Sequence, residues 1–549
     1  MEPRIERTQC RRMPSTRLLL LFAATMSCGH RSSSNNTDGP GGDGSSPDAP
    51  AVDAPPAPGP GAIPVWVEPS LSLVQATASP TSTTEIELWA ARGEAESLQI
   101  VVQGPATNVT IDAPDLIGVG FPGMIPKSQL TLYREYYVHT GGSPNWGGTN
   151  QPLGAGSYPE GLIPFVDPTT GAPLHGALQA EPFDLAAGTA QPYWVDVTVP
   201  RDQTPGEYYG LFTVTSDQGS SQVAVVFHVR KFTLPRKPAL RSSFLALAPT
   251  LQMAEELLND RIDLDNAPTG DERTLIDNYG YTIRGAGAWS GADVGNCTMS
   301  PAPSVASLQA DAATHQPDLE LYDYSADEIG SCTGLVPTLQ AWGRAIHQTR
   351  MKNLVTMAPT TALMDDGSGT GRSAVDIWVV LPVMYDGAQT TIAAALAKGD
   401  AVWSYNTLVQ DAYSPKWEID WDPINFRLQP GFLSESMSLT GILYWRIDDW
   451  DSDPWNTALG FDYPGDGVMV YPGANIGSTG VAPSIRLKRL RDGVDDYDYV
   501  ELLKGLGQGD WAIAQSKSIA PDWTHWTRDH AAVETLRNQL GDKIDSLTP

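Results

Sequence analysis

The sequence predicts a multidomain α and β protein: an N-terminal antiparallel β-sandwich, then a (β/α)8 barrel, then a C-terminal helical segment. Three observations predict it. From about 64 to 236 the chain is rich in β-branched and aromatic residues, is punctuated by turn signals, and has no helix-period stretch. From 242 onward, short apolar runs alternate with helix-period segments, the rhythm of βα units. At 549 residues the chain is also too long for one ordinary domain.

Taken in order, residues 1–28 read as an export signal. Arg11, Arg12 and Arg17 precede "LLLLFAATMSC" (18–28), a run too short to span a bilayer and long enough for a signal core. It ends at Cys28 after the small Ser27, an arrangement that resembles a bacterial lipoprotein signal, in which the cysteine is lipidated. Ordinary secretion is the alternative. The expected location is the cell envelope, as a lipoprotein of the outer membrane or cell surface, or the secreted fraction. Residues 29–63, rich in Gly, Ser, Pro and Asp, have almost nothing to bury and read as a disordered linker. Residues 64–236 carry the sandwich strands, among them "TEIELWAARGEAESLQIVVQ", "QLTLYREYYV" and "SSQVAVVFHVRKFTL". Residues 237–510 carry the barrel. Its eight candidate strands are 242–248, 279–286, 318–326, 354–359, 375–381, 401–406, 440–447 and 467–472. Helix-period segments such as 251–262, 334–352 and 423–436 lie between them, and 482–506 is helical. Residues 511–549 form a C-terminal helical extension.

Composition bounds the function. A formal charge of −29 argues against nucleic acid and against docking on anionic lipid, so any membrane contact would run through a lipid anchor alone. The 16 Trp and 19 Tyr suit sugar stacking, though large folds also bury such rings. Besides Cys10 and Cys28 there are Cys297 and Cys332, either a disulfide in an oxidising compartment or two buried thiols. A bridge would close a 35-residue loop, which chain entropy values at about 3–4 kcal/mol. The motifs of zinc proteases, phosphate loops and serine-hydrolase elbows are missing, and no cofactor is expected. Asp449, Asp451 and Asp453 open like a calcium loop, but Pro454 and Gly460 stand where that loop needs Gly and Glu, so no metal is expected.

The chemistry concentrates in "LELYDYSADEIGSC" (319–332). Strand alternation ends in adjacent acids, Asp327 and Glu328, at the C-terminal end of the third barrel strand, where barrel enzymes place their sites. Glycoside hydrolysis needs one carboxyl to protonate the leaving oxygen and a second group to stabilise the sugar cation. Adjacent residues point to opposite sides of a regular strand, but both can turn inward where the chain leaves the ladder. Such a pair suits a substrate-assisted reaction, in which a 2-acetamido group is the nucleophile. In "AVWSYNT" (401–407), Trp403 and Tyr405 share a strand face, as a stacking platform or as two core aromatics. In "GILYWRIDDWDSDPWN" (441–456), Trp445, Asp448 and Trp450 combine rings and acids fit to grip a sugar.

These segments, in this order, together with "GDGVMVYPG" (465–473) and "APSIRLKRLRDGVDDYDYVELL" (482–503), resemble the bacterial domain of unknown function 4091, related to glycoside hydrolase family 123. The upstream "AARGEAESLQIVV" and "PYWVDVTVPRDQTPGEYYGLFTV" are similar to that family's N-terminal domain, so the likeness covers roughly 64–510. It implies a retaining β-N-acetylgalactosaminidase with a (β/α)8 barrel. Asp327 would stabilise the acetamido group or oxazolinium, and Glu328 would be the general acid/base. Trp403 and Tyr405 would shape the pocket around the sugar. Arg491, Asp492 and Asp496 in the 482–503 run would be helix–barrel ion pairs. The family often has Pro after the pair, where this chain has Ile329. A surface glycan-binding lipoprotein without turnover is the alternative reading.

Overall fold

The computed structural model describes residues 61–168, 170–457 and 463–548. The signal, Cys28 and nearly all of the linker lie outside the described residues. The described residues all fall within one compact unit.

The N-terminal part is a sandwich of two sheets. One runs Val65–Pro69, Ala95–Gln103, Ala190–Thr198, Leu130–Thr140, Gly156–Pro164, every pair antiparallel. The other contains Glu85–Arg92, Gly219–Thr233, Gly206–Ser216 and Ala106–Asp112. Period-two alternation sends Leu98, Ile100, Val195 and Val197 of the first sheet against Phe212, Val214, Val225 and Phe227 of the second. The sandwich is not wholly antiparallel as expected: Glu85–Arg92 runs parallel to Gly219–Thr233. The turn at Gly93 and Glu94 does not close a hairpin. It hands the chain from one sheet to the other, so the strand before it pairs with a later strand of the same direction.

The second part is built on a seven-stranded parallel sheet. Its strands are β1 (Arg241–Phe244), β2 (Ile283–Ala286), β3 (Glu320–Asp327), β4 (Met351–Thr356), β5 (Ile377–Val380), β6 (Ala401–Tyr405) and β7 (Gly441–Tyr444), in the order β1-β7-β6-β5-β4-β3-β2. Every ladder is parallel. The sheet curls into a nearly closed barrel, with no ladder joining β1 to β2 among the described residues. Seven of the eight expected strands are thus in place. The eighth is not: Val470–Pro472 forms a separate antiparallel pair with Val481–Pro483. A loop at Gly465 and Gly467 (φ +83° and +78°) uses up the start of that segment. The three residues left return on themselves through the turn that follows, and Pro472 and Pro483 have no N–H to extend a ladder.

The interior-facing residues Tyr322, Leu354, Ile377, Val379, Trp403 and Leu443 fill the barrel. The helix Ile485–Gly505, capped by Ser484, is buried nearly throughout, with its charged residues included. Those charges tie the sandwich to the barrel. Arg486 pairs with Glu160 (2.7 Å), Lys488 with Asp260 (2.9 Å), and Arg491 with Asp196 (3.1 Å). Asp496 pairs with Arg427 (2.7 Å). The run expected to make helix–barrel pairs therefore reaches the sandwich as well, through Arg491 and Arg486. The chain ends in the helices Gly509–Ile519 and His530–Leu547.

Candidate active site

Two backbone irregularities bring both acids to one side. Tyr322 and Tyr324 of β3 face the barrel interior, and regular alternation would send Ala326 inward and Asp327 out. The ladder to β4 slips between Tyr324 and Ala326: Tyr324 pairs with Leu354, Ala326 with Val355, and Asp327 with Thr356. Ser325 is the extra residue of a bulge and bonds to Asn353 (2.5 Å). Ala326 therefore packs outward with Val355 and Trp378, and Asp327 turns inward. Glu328 then adopts a left-handed conformation (φ +49°) in place of the next extended residue. That conformation costs a non-glycine residue roughly 1–2 kcal/mol. It is held by the Glu328 N–H donating to Thr356 Oγ1 (2.9 Å). Behind the pair, buried Ile329 and the Cys297–Cys332 disulfide anchor the chain. The two cysteines expected either to bridge or to stay as buried thiols are bonded.

Both carboxylates open into a pocket of about 420 Å³ at the C-terminal ends of the strands. Asp327 Oδ1 accepts from the Tyr324 hydroxyl (2.8 Å) and from the Thr356 hydroxyl. Glu328 Oε1 accepts from the Tyr405 hydroxyl (2.6 Å). Burial, and then the charge of Glu328, push the Tyr405 phenol far above its ordinary range. Burial and the charge of Asp327 do the same to Tyr324. Both phenols therefore stay protonated and act as donors. No hydrogen bond from a described residue engages Asp327 Oδ2 or Glu328 Oε2, so each acid keeps a free oxygen.

The pocket wall contains Asp265 as a third carboxylate and no Lys, Arg or His among the described residues. Such a cavity repels phosphate and carboxylate ligands and favours developing positive charge. One side is organised by Asp466, on the loop between Gly465 and Gly467. It accepts from Trp445 Nε1 (3.3 Å), the Tyr444 hydroxyl (3.2 Å) and the Thr407 hydroxyl (3.2 Å), all on pocket-lining residues. Burial raises the Asp466 carboxyl against the opposing pull of these donors.

Of the expected site residues, Asp327, Glu328, Tyr405 and Trp445 line this pocket. Three others do not. Trp403 shares the face of Tyr405 but lies one layer deeper, 1% exposed and edge-on to Tyr322, with ring centroids 6.1 Å apart. Asp448 is buried and accepts from the Leu247 and Ala248 amides, which fixes the loop after β1. Trp450 donates to the Val470 carbonyl (2.8 Å) and packs between two cores. The unforeseen members are Tyr324, Thr356, Thr407 and Asp265. Thr356 was findable as a polar residue ending a barrel strand. Tyr324 was hidden by the bulge, which reverses the alternation used to sort the faces.

Family models identify both parts. The glycoside hydrolase 123 N-terminal domain matches residues 72–216, and the glycoside hydrolase 123 catalytic domain matches 344–503. Together these segments span more than half of the chain. The catalytic-domain match contains Tyr405 and Trp445 and begins at residue 344, so the acidic pair at 327 and 328 lies outside it. Among solved structures, the chain is similar to a family 123 glycoside hydrolase from Clostridium perfringens, described for glycolipid glycan hydrolysis. The identity is 12% and the TM-score 0.60, over 88% of this chain and 98% of that one. A β-glucuronidase from Parabacteroides merdae aligns at 11% identity and a TM-score of 0.26, over 68% of this chain and 48% of that one. No curated protein matches the chain.

Proposed function

The chain belongs to glycoside hydrolase family 123, and from that membership we propose that this glycoside hydrolase cleaves β-linked N-acetylhexosamine, of the N-acetylgalactosamine type, with retention of configuration and with the substrate's acetamido group as nucleophile. The observation that supports the reading is the presentation of Asp327 and Glu328 to one cation-friendly pocket, each with one oxygen held and one free. In this reading the acetamido oxygen attacks the anomeric carbon. The free oxygen of Asp327 accepts the acetamido N–H and steadies the positive charge that develops on the oxazolinium ring. Glu328 gives its proton to the leaving oxygen as the glycosidic bond breaks, then takes a proton from the water that opens the ring. Tyr324 and Thr356 keep Asp327 oriented, and Tyr405 keeps Glu328 aimed. The pocket volume is within the roughly 300–1,000 Å³ of ordinary ligand sites.

The test compares nitrophenyl β-glycosides of N-acetylgalactosamine, N-acetylglucosamine and galactose. Turnover confined to the 2-acetamido sugars, with inhibition by a thiazoline mimic of the oxazoline, is expected. Equal hydrolysis of the galactoside without thiazoline inhibition overturns the mechanism. Binding of 2-acetamido glycans with no turnover of any of them points to the lectin-like alternative.

Export belongs to the same proposal. The Cys297–Cys332 disulfide favours an oxidising compartment, and the 18–28 segment favours a lipid anchor at Cys28. Fatty-acid labelling of the full chain that disappears in Cys28→Ala is expected. Labelling that persists in that variant removes the anchor from the proposal.

A further inference from the structure

A third carboxylate of the pocket has no part in the steps above. Asp265 lies beyond Leu264, which bridges to Phe244 at the end of β1, and its own amide donates to the Phe244 carbonyl (2.8 Å). Its Oδ1 accepts from the Gly285 amide (2.8 Å) and from the Tyr322 hydroxyl. Tyr322 is held in turn by Ser243 (2.5 Å) and by the ring of Trp403. Gly285 permits this approach: a Cβ there would come within 2.5 Å of Asp265 Oδ1. The cation whose charge reaches it, Arg284, is bonded elsewhere, to Glu272 (2.5 Å) and to the Ala267 carbonyl (3.0 Å). Oδ2 takes no hydrogen bond from a described residue, and it is not among the walled-in polar atoms. The arrangement is a pocket-lining carboxylate fixed from behind, in no ion pair among the described residues, whose Oδ2 is left without a protein donor.

We infer that Asp265 determines sugar specificity, its Oδ2 accepting a hydrogen bond from a ring hydroxyl of the sugar whose anomeric carbon sits at Asp327 and Glu328. The inference rests on the glycosidase reading and deepens it. Burying a carboxylate oxygen is costly unless a donor meets it, and a sugar hydroxyl is the donor this pocket would receive. Because two protein donors pin Oδ1, Oδ2 cannot swing to follow a misplaced hydroxyl. An epimer lacking a hydroxyl at that point would enclose the oxygen unpaired, which is the strongest form of rejection a polar site can exert.

The test is a cycle between substrate and protein. Nitrophenyl 2-acetamido glycosides deoxygenated in turn at positions 3, 4 and 6 are compared on the wild type, Asp265→Asn and Asp265→Ala. At one position the wild type should lose about 10–100-fold in kcat/KM, the loss expected for a hydrogen bond to a charged group. Asp265→Ala should lose little more at that same position than it has lost on the parent sugar. A uniform loss across the whole series in both variants overturns the inference and leaves Asp265 a support of Tyr322. If the alanine variant misfolds, Asp265→Asn, which keeps the shape, carries the comparison at a matched melting temperature. A wild type that hydrolyses all the 2-acetamido sugars with no deoxy penalty refutes this inference alone. A wild type inert on every one of them refutes the glycosidase mechanism as well.

Discussion

Glu328→Gln is expected to retain the fold and lose a factor of roughly 10²–10⁴ in kcat/KM on a glycan with a sugar leaving group, the range that general acid catalysis supplies. The substitution is isosteric. Tyr405, 2.6 Å from Oε1, can donate to an amide oxygen as it does to the carboxylate, so the side chain stays in position. What disappears is the proton for the leaving oxygen and the base that later accepts one from water. The loss should therefore depend on the leaving group. A nitrophenolate departs without much protonation, so the aryl glycoside should suffer far less in bond cleavage than a disaccharide does. Asp327→Asn should behave differently. Its partner in the reaction is the acetamido nitrogen, present in every substrate, so both leaving groups should be affected alike. Measuring kcat/KM for a series of leaving groups of graded acidity distinguishes the two roles. A Glu328→Gln variant whose deficit is the same for all leaving groups, or that has none, removes Glu328 from the acid role.

Much of this arrangement was legible in the sequence, and what was not has definite physical causes. The acidic pair was legible because an apolar β3 ended in two charges at the face where barrels place chemistry. The disulfide was legible as one of two options, because beyond residue 28 the sequence holds only Cys297 and Cys332. Depth was not legible. Trp403 and Tyr405 have the same alternation and nearly the same bulk, and only their distance along β6 puts one in the core and the other at the pocket. Asp448 and Trp450 sat in a segment of the right composition, but the Leu247 and Ala248 amides claim the acid and the Val470 carbonyl claims the indole. Asp265 carries no local signal at all, because it reaches the pocket from a loop after the first helix of the barrel and not from a strand end. The parallel pairing of Glu85–Arg92 was hidden for a related reason. The stretch "TEIELWAARGEAESLQIVVQ" shows β-rich composition but not which sheet each half joins, and only the competition between two sheets for the strand decides its direction.

Arg486→Met is the substitution expected to destabilise the chain most, by about 3–5 kcal/mol, the cost of stranding a buried charge. Arg486 and Glu160 are each about 1% exposed in their side chains. The guanidinium donates to Glu160 (2.7 and 2.9 Å) and to the carbonyls of Trp417 (2.8 Å), Gly465 (3.0 Å) and Val468. With methionine in its place, Glu160 keeps only the Tyr471 hydroxyl (3.2 Å) among the described residues, the Trp417 and Val468 carbonyls lose their donor, and the Gly465 carbonyl is left with the Val468 amide alone (3.1 Å). The consequence should extend to the site. The Gly465 carbonyl begins the loop that carries Asp466, and that carboxylate organises Trp445, Tyr444 and Thr407 at the pocket. Gly465 cannot be replaced to compensate, since its φ is +83° and a Cβ would come within 2.6 Å of the Ile419 side chain. The variant should thus show a lower denaturation midpoint and a raised KM, with kcat changed less, because the donors to Asp327 and Glu328 are Tyr324, Thr356 and Tyr405, and Asp466 accepts from none of them. Replacing Glu160 with Gln in the same molecule should recover a large part of the stability, because the stranded charge is then gone, but should not restore KM, because the guanidinium that bound the Gly465 and Val468 carbonyls on either side of Asp466 is still absent. A single variant within about 0.5 kcal/mol of wild type, the range of ordinary surface changes, would mean that the seam between sandwich and barrel does not depend on this ion pair.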